Sequence, residues 1–210
     1  MIAKIPSQVV FVVDDDASMR DAISRLLNAV GLTVQTFASA REFLAGEPAA
    51  GPSCVVLDVQ MPGLTGLDLQ KALADAVHRS AIVFITGHGD VAMSVNAMKA
   101  GAVDFLTKPF AGQDLLDAIQ RALAKDTRDL GAEARIAEIR QRVSLLTPRE
   151  TEVFALVVTG MLNKQIAAEL GIGEKTVKVH RARVMEKMRA GSVAELVRLA
   201  DAVGVIVPKA

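Results

Sequence analysis

The stretch Val55-Val56-Leu57-Asp58-Val59-Gln60-Met61-Pro62-Gly63 constrains this chain more than any other. An apolar run rich in β-branched valine, followed at once by turn formers, reads as a strand buried on both faces of a sheet. An unpaired charge inside such a sheet costs several kcal/mol. Asp58 is therefore expected at the carboxyl end of the strand, facing a crevice. Taken alone, it reads more readily as a cap for the turn or for the helix that follows.

The rest of the front half decides between these readings. Val9 to Val13 is a second buried run and ends in Asp14-Asp15-Asp16. Asp16 or Ser18 can cap a helix carrying Met19, Ile23, Leu26 and Leu27, which Gly31 stops. Thr33 to Phe37 is a short strand and Ala40 to Leu44 a helix. After the Asp58 strand comes a helix with Leu67, Leu69, Ala72 and Leu73. Ala81 to Thr86 is a fourth strand, leading into Gly87-His88-Gly89-Asp90. Val91 to Ala100 is helical, with Val91, Val95 and Met98 on one stripe and Gly101 as its cap. Asp104 to Thr107 is a fifth strand ending at Lys108-Pro109. Gln113 to Ala124 closes the domain as a helix with Leu116, Ile119 and Leu123 inward.

Five strands alternating with five helices demand a parallel sheet covered on both faces, a doubly wound α/β domain. In such sheets function sits outside the carboxyl ends of the strands. Asp14, Asp15, Asp58, Thr86 and Lys108 all stand at strand ends, so residues distant in sequence converge on one crevice. Carboxylates gathered this closely raise one another's pKa, and a divalent cation with oxygen ligands, Mg²⁺ best, relieves the repulsion. One carboxylate is then free to act as a nucleophile toward a phosphoryl group. The lysine and the hydroxyl stand ready to bind the incoming phosphoryl oxygens.

Charge divides the chain. Residues 1–125 carry 10 Lys and Arg against 13 Asp and Glu, whereas residues 147–210 carry 10 against 7. An acidic front and a basic back argue for two modules with different partners. With no Trp, no Tyr and seven Phe, the cores must be mainly aliphatic. The single cysteine, Cys54, excludes an internal disulfide framework and reads as a small buried hydrophobe in a reduced, intracellular setting. Met1 to Pro6 lacks the apolar core of a signal peptide, and no run is long enough to span a membrane. The expected location is the cytoplasm.

On these residues the front half, 8–124, resembles the receiver domain of two-component response regulators. The resemblance implies a flavodoxin-like sheet of order 2-1-3-4-5, with Asp58 as phosphoacceptor. Mg²⁺ would be held by Asp15, Asp58 and the backbone carbonyl of Gln60, with Asp14 contributing through water. Lys108, before Pro109 in a cis peptide, would pair with the phosphate. Thr86 and Phe105 would form the switch, read through packing alone because Phe105 stands where many receivers carry tyrosine. Gln60 and His88 would tune the phosphoryl lifetime. A sensor histidine kinase is the implied donor, and helix 91–100 with the fifth strand is the implied homodimer face.

The remainder reads as helices throughout. Asp126 to Leu146 is a charged helix joining the domains, with Ile136, Ile139, Val143 and Leu146 near heptad spacing; it either coils against a neighbour or packs on its own domain. Thr147-Pro148-Arg149-Glu150 is a helix start of the capping-box type. It opens helix 148–159, with Val153, Leu156 and Val157 as its apolar positions. Asn163 can cap a second helix with Ile166, Ala167 and Leu170. Glu174 begins a third, with Val177, Val184 and Met188 buried, and a fourth runs from Val193 to Ala202. Two short helices with a glycine-containing turn before a basic one read as helix-turn-helix. Lys175, Lys178, Arg181, Arg183, Lys187 and Arg189 face a single acidic residue, Glu186, in the same span. A one-signed excess of this kind suits a helix that neutralises phosphates in the major groove of double-stranded DNA.

Leu146-Thr147-Pro148-Arg149-Glu150, Asn163-Lys164-Gln165-Ile166-Ala167 and Lys175-Thr176-Val177-Lys178-Val179-His180 resemble the DNA-binding domain of LuxR/NarL-type regulators. By that resemblance Lys178 and Val179 would touch base edges, and Thr176 would join the basic residues of this helix at the DNA. The whole chain resembles the FixJ/StyR/TodT group. Its expected organisation is a receiver at 1–124, a helical linker at 125–143 and an all-α, four-helix DNA-binding domain at 144–210. It would be a transcription factor that takes part in its own phosphorylation without being a turnover enzyme. A competing reading, a phosphatase of the haloacid-dehalogenase type with Asp14 as nucleophile and Asp16 as acid, leaves Asp58 and the basic tail without a use. A ligand-gated LuxR-type regulator fails because the front half is no apolar ligand pocket. A dinucleotide-binding domain fails because no glycine-rich turn follows the first strand.

Overall fold

A computed structural model describes residues 8–75, 80–87 and 91–205. The expected positions of His88, Gly89 and Asp90 lie outside the described residues. The chain divides into two compact units between Leu130 and Gly131. The first holds β1 (Val9–Val13), α1 (Ala17–Ala29), β2 (Thr33–Phe37), α2 (Ala40–Ala45), β3 (Ser53–Asp58), α3 (Gly66–Asp75), β4 (Ala81–Thr86), α4 (Val91–Lys99) and β5 (Asp104–Thr107). It also holds the start of α5 (Gly112–Ser144). The strands form one parallel sheet ordered β2-β1-β3-β4-β5, as expected.

Alternation along the strands builds two cores, one on each face. Phe11, Val13, Val55, Leu57, Ile82 and Phe84 pack with Leu69, Leu73 and Ala97 of α3 and α4. Val10, Val12, Cys54, Val56, Val83 and Ile85 pack with Ile23, Leu27, Leu115, Ala118 and Ile119 of α1 and α5. Cys54 is fully buried, and burial pushes its thiol well above the ordinary range, so it is a packing residue.

The stripe Val91, Val95 and Met98 faces outward, with 79%, 43% and 45% of each residue exposed, while Ala97 and Met93 make the inward contacts of α4. On α5, Ile119 and Leu123 are buried as expected and Leu116 packs half-buried beside them, while Leu115, Ala118 and Ala122 complete the inward face. The helix does not stop near Ala124 but runs 33 residues to Ser144. No proline interrupts it, and the lone Gly131 weakens a helix by only about 1 kcal/mol.

The second unit holds the end of α5 with α6 (Pro148–Val158), α7 (Asn163–Leu170), α8 (Glu174–Met188) and α9 (Val193–Ala202). Ile139 is buried in its core, and Val143 and Leu146 pack beside it, so this stripe is covered by its own domain. Phe154, which the spacing did not single out, is fully buried there, while Leu156 is only partly so.

The α6 start forms the expected capping box. Thr147 Oγ1 accepts from the Glu150 amide at 3.3 Å, and the Glu150 carboxylate accepts from the Thr147 amide at 2.8 Å. Glu150 is 2% exposed, and Lys187 of α8 donates to it at 2.6 Å. That bond and the Thr147 amide hold its pKa down to about 2. A carboxyl depressed in the folded state adds stability above its unfolded pKa and loses it as pH falls through its folded one.

The helical unit should therefore lose this contribution between about pH 4.3 and pH 2. In urea titrations near neutral pH, Glu150→Gln should destabilise it by about 2 kcal/mol, less than for a fully buried pair because Lys187 is partly exposed. The gap from wild type should narrow toward pH 2, and a gap independent of pH would refute this account.

Candidate functional site

The register brings the carboxyl ends of β1, β3, β4 and β5 to one edge, pairing Val13 with Leu57, Asp58 with Ile85 and Thr86 with Thr107. Asp14 follows β1 and is fully buried; Asp15 beside it is exposed; Asp58 ends β3 and is 7% exposed. Carboxylate oxygens of all three lie within 4.8 Å of one another. Lys108, past β5 and in a cis peptide with Pro109, donates from Nζ to Asp14 Oδ2 and to Asp58 Oδ2, each at 2.8 Å. The other oxygens of both carboxylates accept backbone amides, Asp14 from Asp16 at 2.8 Å and Asp58 from Gln60 at 3.1 Å.

Burial raises the Asp14 pKa above the usual carboxylate range, against the pull of the Lys108 and Asp16 hydrogen bonds. Burial also opposes the charge on Lys108, but its bonds to Asp14 and Asp58 outweigh that and hold its pKa high. Three carboxylates and one ammonium leave two formal negative charges. Oxygen donors with that residual charge fit a divalent cation such as Mg²⁺.

Thr86 is fully buried at the end of β4, and its carbonyl accepts from the Lys108 amide at 2.7 Å. Phe105 is half-buried, its ring centroid 6.1 Å from that of Phe84. Asp16, the acid of the competing phosphatase reading, caps α1 by accepting from the Ser18 amide at 2.8 Å and hydroxyl at 2.7 Å.

Two residues of this region carry no motif and were not anticipated. Arg20 donates from Nη1 to the carbonyls of Asp14, at 2.7 Å, and Asp15, at 3.0 Å. Its signal was a cation early in a helix, where the dipole disfavours one. Gly66 opens α3 so close to Asp58 that a Cβ there would run into the Asp58 carbonyl oxygen. Pro62 and Gly63 mark a turn, but nothing in the sequence says that the chain returns to the strand it has left.

In the helical unit, Gly171 turns α7 into α8 with φ +63°, a conformation glycine adopts without strain. Lys175, Thr176, Lys178, Val179 and Arg183 lie exposed along α8. Arg181 and Lys187 are half-buried and have partners within the unit. Arg181 donates to Asn163 Oδ1 at 2.9 Å, and Lys187 to Glu150 and to the Leu145 carbonyl at 3.0 Å. Lys187 thus departs from the expected row of DNA-facing cations because the buried Glu150 carboxylate needs a counter-charge. Asn163 is not the cap of α7: Leu162 occupies that position, and its amide donates to Gln165 Oε1 at 2.7 Å.

Residues 10–120 match the response regulator receiver domain family, and residues 144–200 match the bacterial regulatory proteins of the luxR family. The chain is a response regulator. It is similar to Nodulation protein W of Bradyrhizobium diazoefficiens, with 50% identity over 94% of this chain and 87% of that protein. It is also similar to the transcriptional regulatory protein FixJ of the same species, with 44% identity over 94% and 96%. The solved structure of the response regulator StyR superposes with a TM-score of 0.82 at 46% identity, covering 93% of this chain and 98% of that one. These relatives bear out the resemblance to the FixJ/StyR/TodT group, and the chain is a transcriptional regulator with a receiver and a LuxR-type DNA-binding domain. Among the described residues no helix is long and apolar enough to cross a membrane.

The closeness of Gly66 to Asp58 has a measurable consequence for this response regulator. Gly66→Ala must push α3 away from the strand end and should destabilise the receiver by about 1–3 kcal/mol in denaturant titrations. A variant as stable as wild type would mean that the start of α3 can move freely away from Asp58.

Proposed function

We propose that Asp58 accepts a phosphoryl group from a sensor histidine kinase and that this controls dimerisation and promoter binding in the cytoplasm. The observation that carries the reading is Lys108 bridging Asp14 and Asp58 inside the acidic cluster. A carboxylate oxygen of Asp58 attacks the phosphorus of a phosphohistidine. The new O–P bond forms as the P–N bond breaks, and the electron pair leaves with the imidazole. Lys108 then pairs with the phosphoryl oxygens, exchanging one anionic partner for another. Asp15, Asp58 and the Gln60 carbonyl would hold Mg²⁺, with Asp14 contributing through water, and the bound ion would supply positive charge to offset that of the transferred group. Gln60 and His88 set the lifetime of the acyl phosphate. The protein completes one transfer onto itself and is not a turnover enzyme.

Thr86, at the end of the neighbouring strand, turns its hydroxyl to the phosphoryl group, and the Phe105 ring moves into the space vacated. With no phenol on that ring, the signal passes by packing alone. The outward stripe Val91, Val95 and Met98 supports α4 and β5 as the surface on which two copies then meet. Dimerisation sets two α8 helices on one operator, where Lys178 and Val179 meet bases and Lys175, Thr176, Arg181 and Arg183 meet the backbone.

Incubation with a small acyl phosphate and Mg²⁺ should add one phosphoryl group, mapping to Asp58 by mass spectrometry, and sedimentation should show dimer. Asp58→Asn should abolish both. Label on Asp14 would overturn this assignment and favour phosphatase chemistry.

Lys178→Ala should weaken binding to an operator selected from random duplexes by about 1–3 kcal/mol and relax its base preference. An equal loss on every duplex, with a shallower salt dependence, would make Lys178 a phosphate contact instead.

A further inference from the structure

The three carboxylates of the cluster are not held alike. Asp14 and Asp58 each have both oxygens engaged, one by Lys108 and one by a backbone amide. Asp15 is exposed, and no described residue donates a hydrogen bond to its carboxylate. Its aim is therefore set by its own backbone.

Arg20 is what holds that backbone. The Asp14 carbonyl belongs to the peptide plane before the Asp15 Cα, and the Asp15 carbonyl to the plane after it. Because peptide units are planar, fixing both planes fixes φ and ψ of Asp15 and with them the direction of its Cα–Cβ bond. One atom, Arg20 Nη1, bonds both carbonyls, at 2.7 and 3.0 Å. Arg20 is only partly exposed and lies early in α1, where the helix dipole disfavours a cation. The two carbonyls offset that disadvantage.

We infer that Arg20 is a positioning residue for cation binding, one that pre-aims Asp15 so that the loop need not be ordered when the ion arrives. The inference rests on the proposed role of Asp14, Asp15 and Asp58 in holding Mg²⁺. Its sign separates it from simple electrostatics. Removing a positive charge near an acidic cluster would, by Coulomb attraction alone, tighten cation binding. Loss of positioning weakens it.

The test is calorimetric titration of the full chain with MgCl₂ and no phosphodonor, on wild type, Asp15→Asn, Arg20→Met and Arg20→Lys. Circular dichroism would verify the fold of each. Arg20→Met is expected to raise the Kd for Mg²⁺ about fivefold, the scale of one residue's ordering entropy. Arg20→Lys should fall between it and wild type. In acyl-phosphate reactions the half-saturating Mg²⁺ concentration should rise by the same factor while the rate at saturating Mg²⁺ stays unchanged, a split that general destabilisation would not produce. Unchanged or tighter binding by Arg20→Met, or binding by Arg20→Lys weaker than by Arg20→Met, overturns the role of Arg20. If wild type takes up no Mg²⁺, or Asp15→Asn binds it as wild type does, the underlying reading of the carboxylates fails instead.

Discussion

The arrangement at the edge of the sheet depends on one ammonium group. Lys108 reaches Asp14 across 94 positions of sequence and Asp58 across 50, at 2.8 Å each. Without it, two buried carboxylates would face each other and an exposed third with no compensating charge, at a cost of several kcal/mol. With it, the cluster keeps a surplus of negative charge matched to a divalent ion. The lysine can bridge only because the parallel order β2-β1-β3-β4-β5 puts β1 beside β3, and β5 one strand beyond β4, with all their carboxyl ends on one edge. Fold and site are thus one constraint. A sheet with β1 at its edge would carry the same residues and never assemble them.

What the sequence made legible was what repeats or clusters. The apolar runs placed β1 and β4 at their observed bounds because buried parallel strands announce themselves as uninterrupted Val, Ile and Phe, whereas the more exposed β2 was legible from alternation. Asp14, Asp15, Asp58, Thr86 and Lys108 were legible because each stands where such a run stops. Arg20 and Gly66 were not, because each acts on a backbone carbonyl, and carbonyls are present at every position and leave no mark in the letters. The stripe on α4 was legible as a shared face, but periodicity does not say whether the protein covers that face, and here it does not. Asn163 has the residue type of a cap, yet the chain satisfies that helix start through Gln165, and Asn163 takes Arg181 as its partner.

Each domain buries a carboxylate against a lysine that comes from elsewhere in the chain, and the contrast between the two pairs separates chemistry from structure. At Glu150 the charges balance one to one. The carboxylate accepts from Lys187 and the Thr147 amide, and Lys187 also donates to the Leu145 carbonyl. Nothing there is left over to attract a ligand, and the depressed pKa of Glu150 reports a pair that is satisfied. At Lys108 one cation faces three anions. Burial raises the Asp14 pKa despite the bond from Lys108, so desolvation outweighs what the lysine supplies. Two pairs with similar distances therefore do opposite work. The balanced one ties α8 to the start of α6, so that this helix keeps its place in the domain. The unbalanced one leaves a group of carboxylate oxygens within 4.8 Å of one another, an arrangement compatible with a divalent cation.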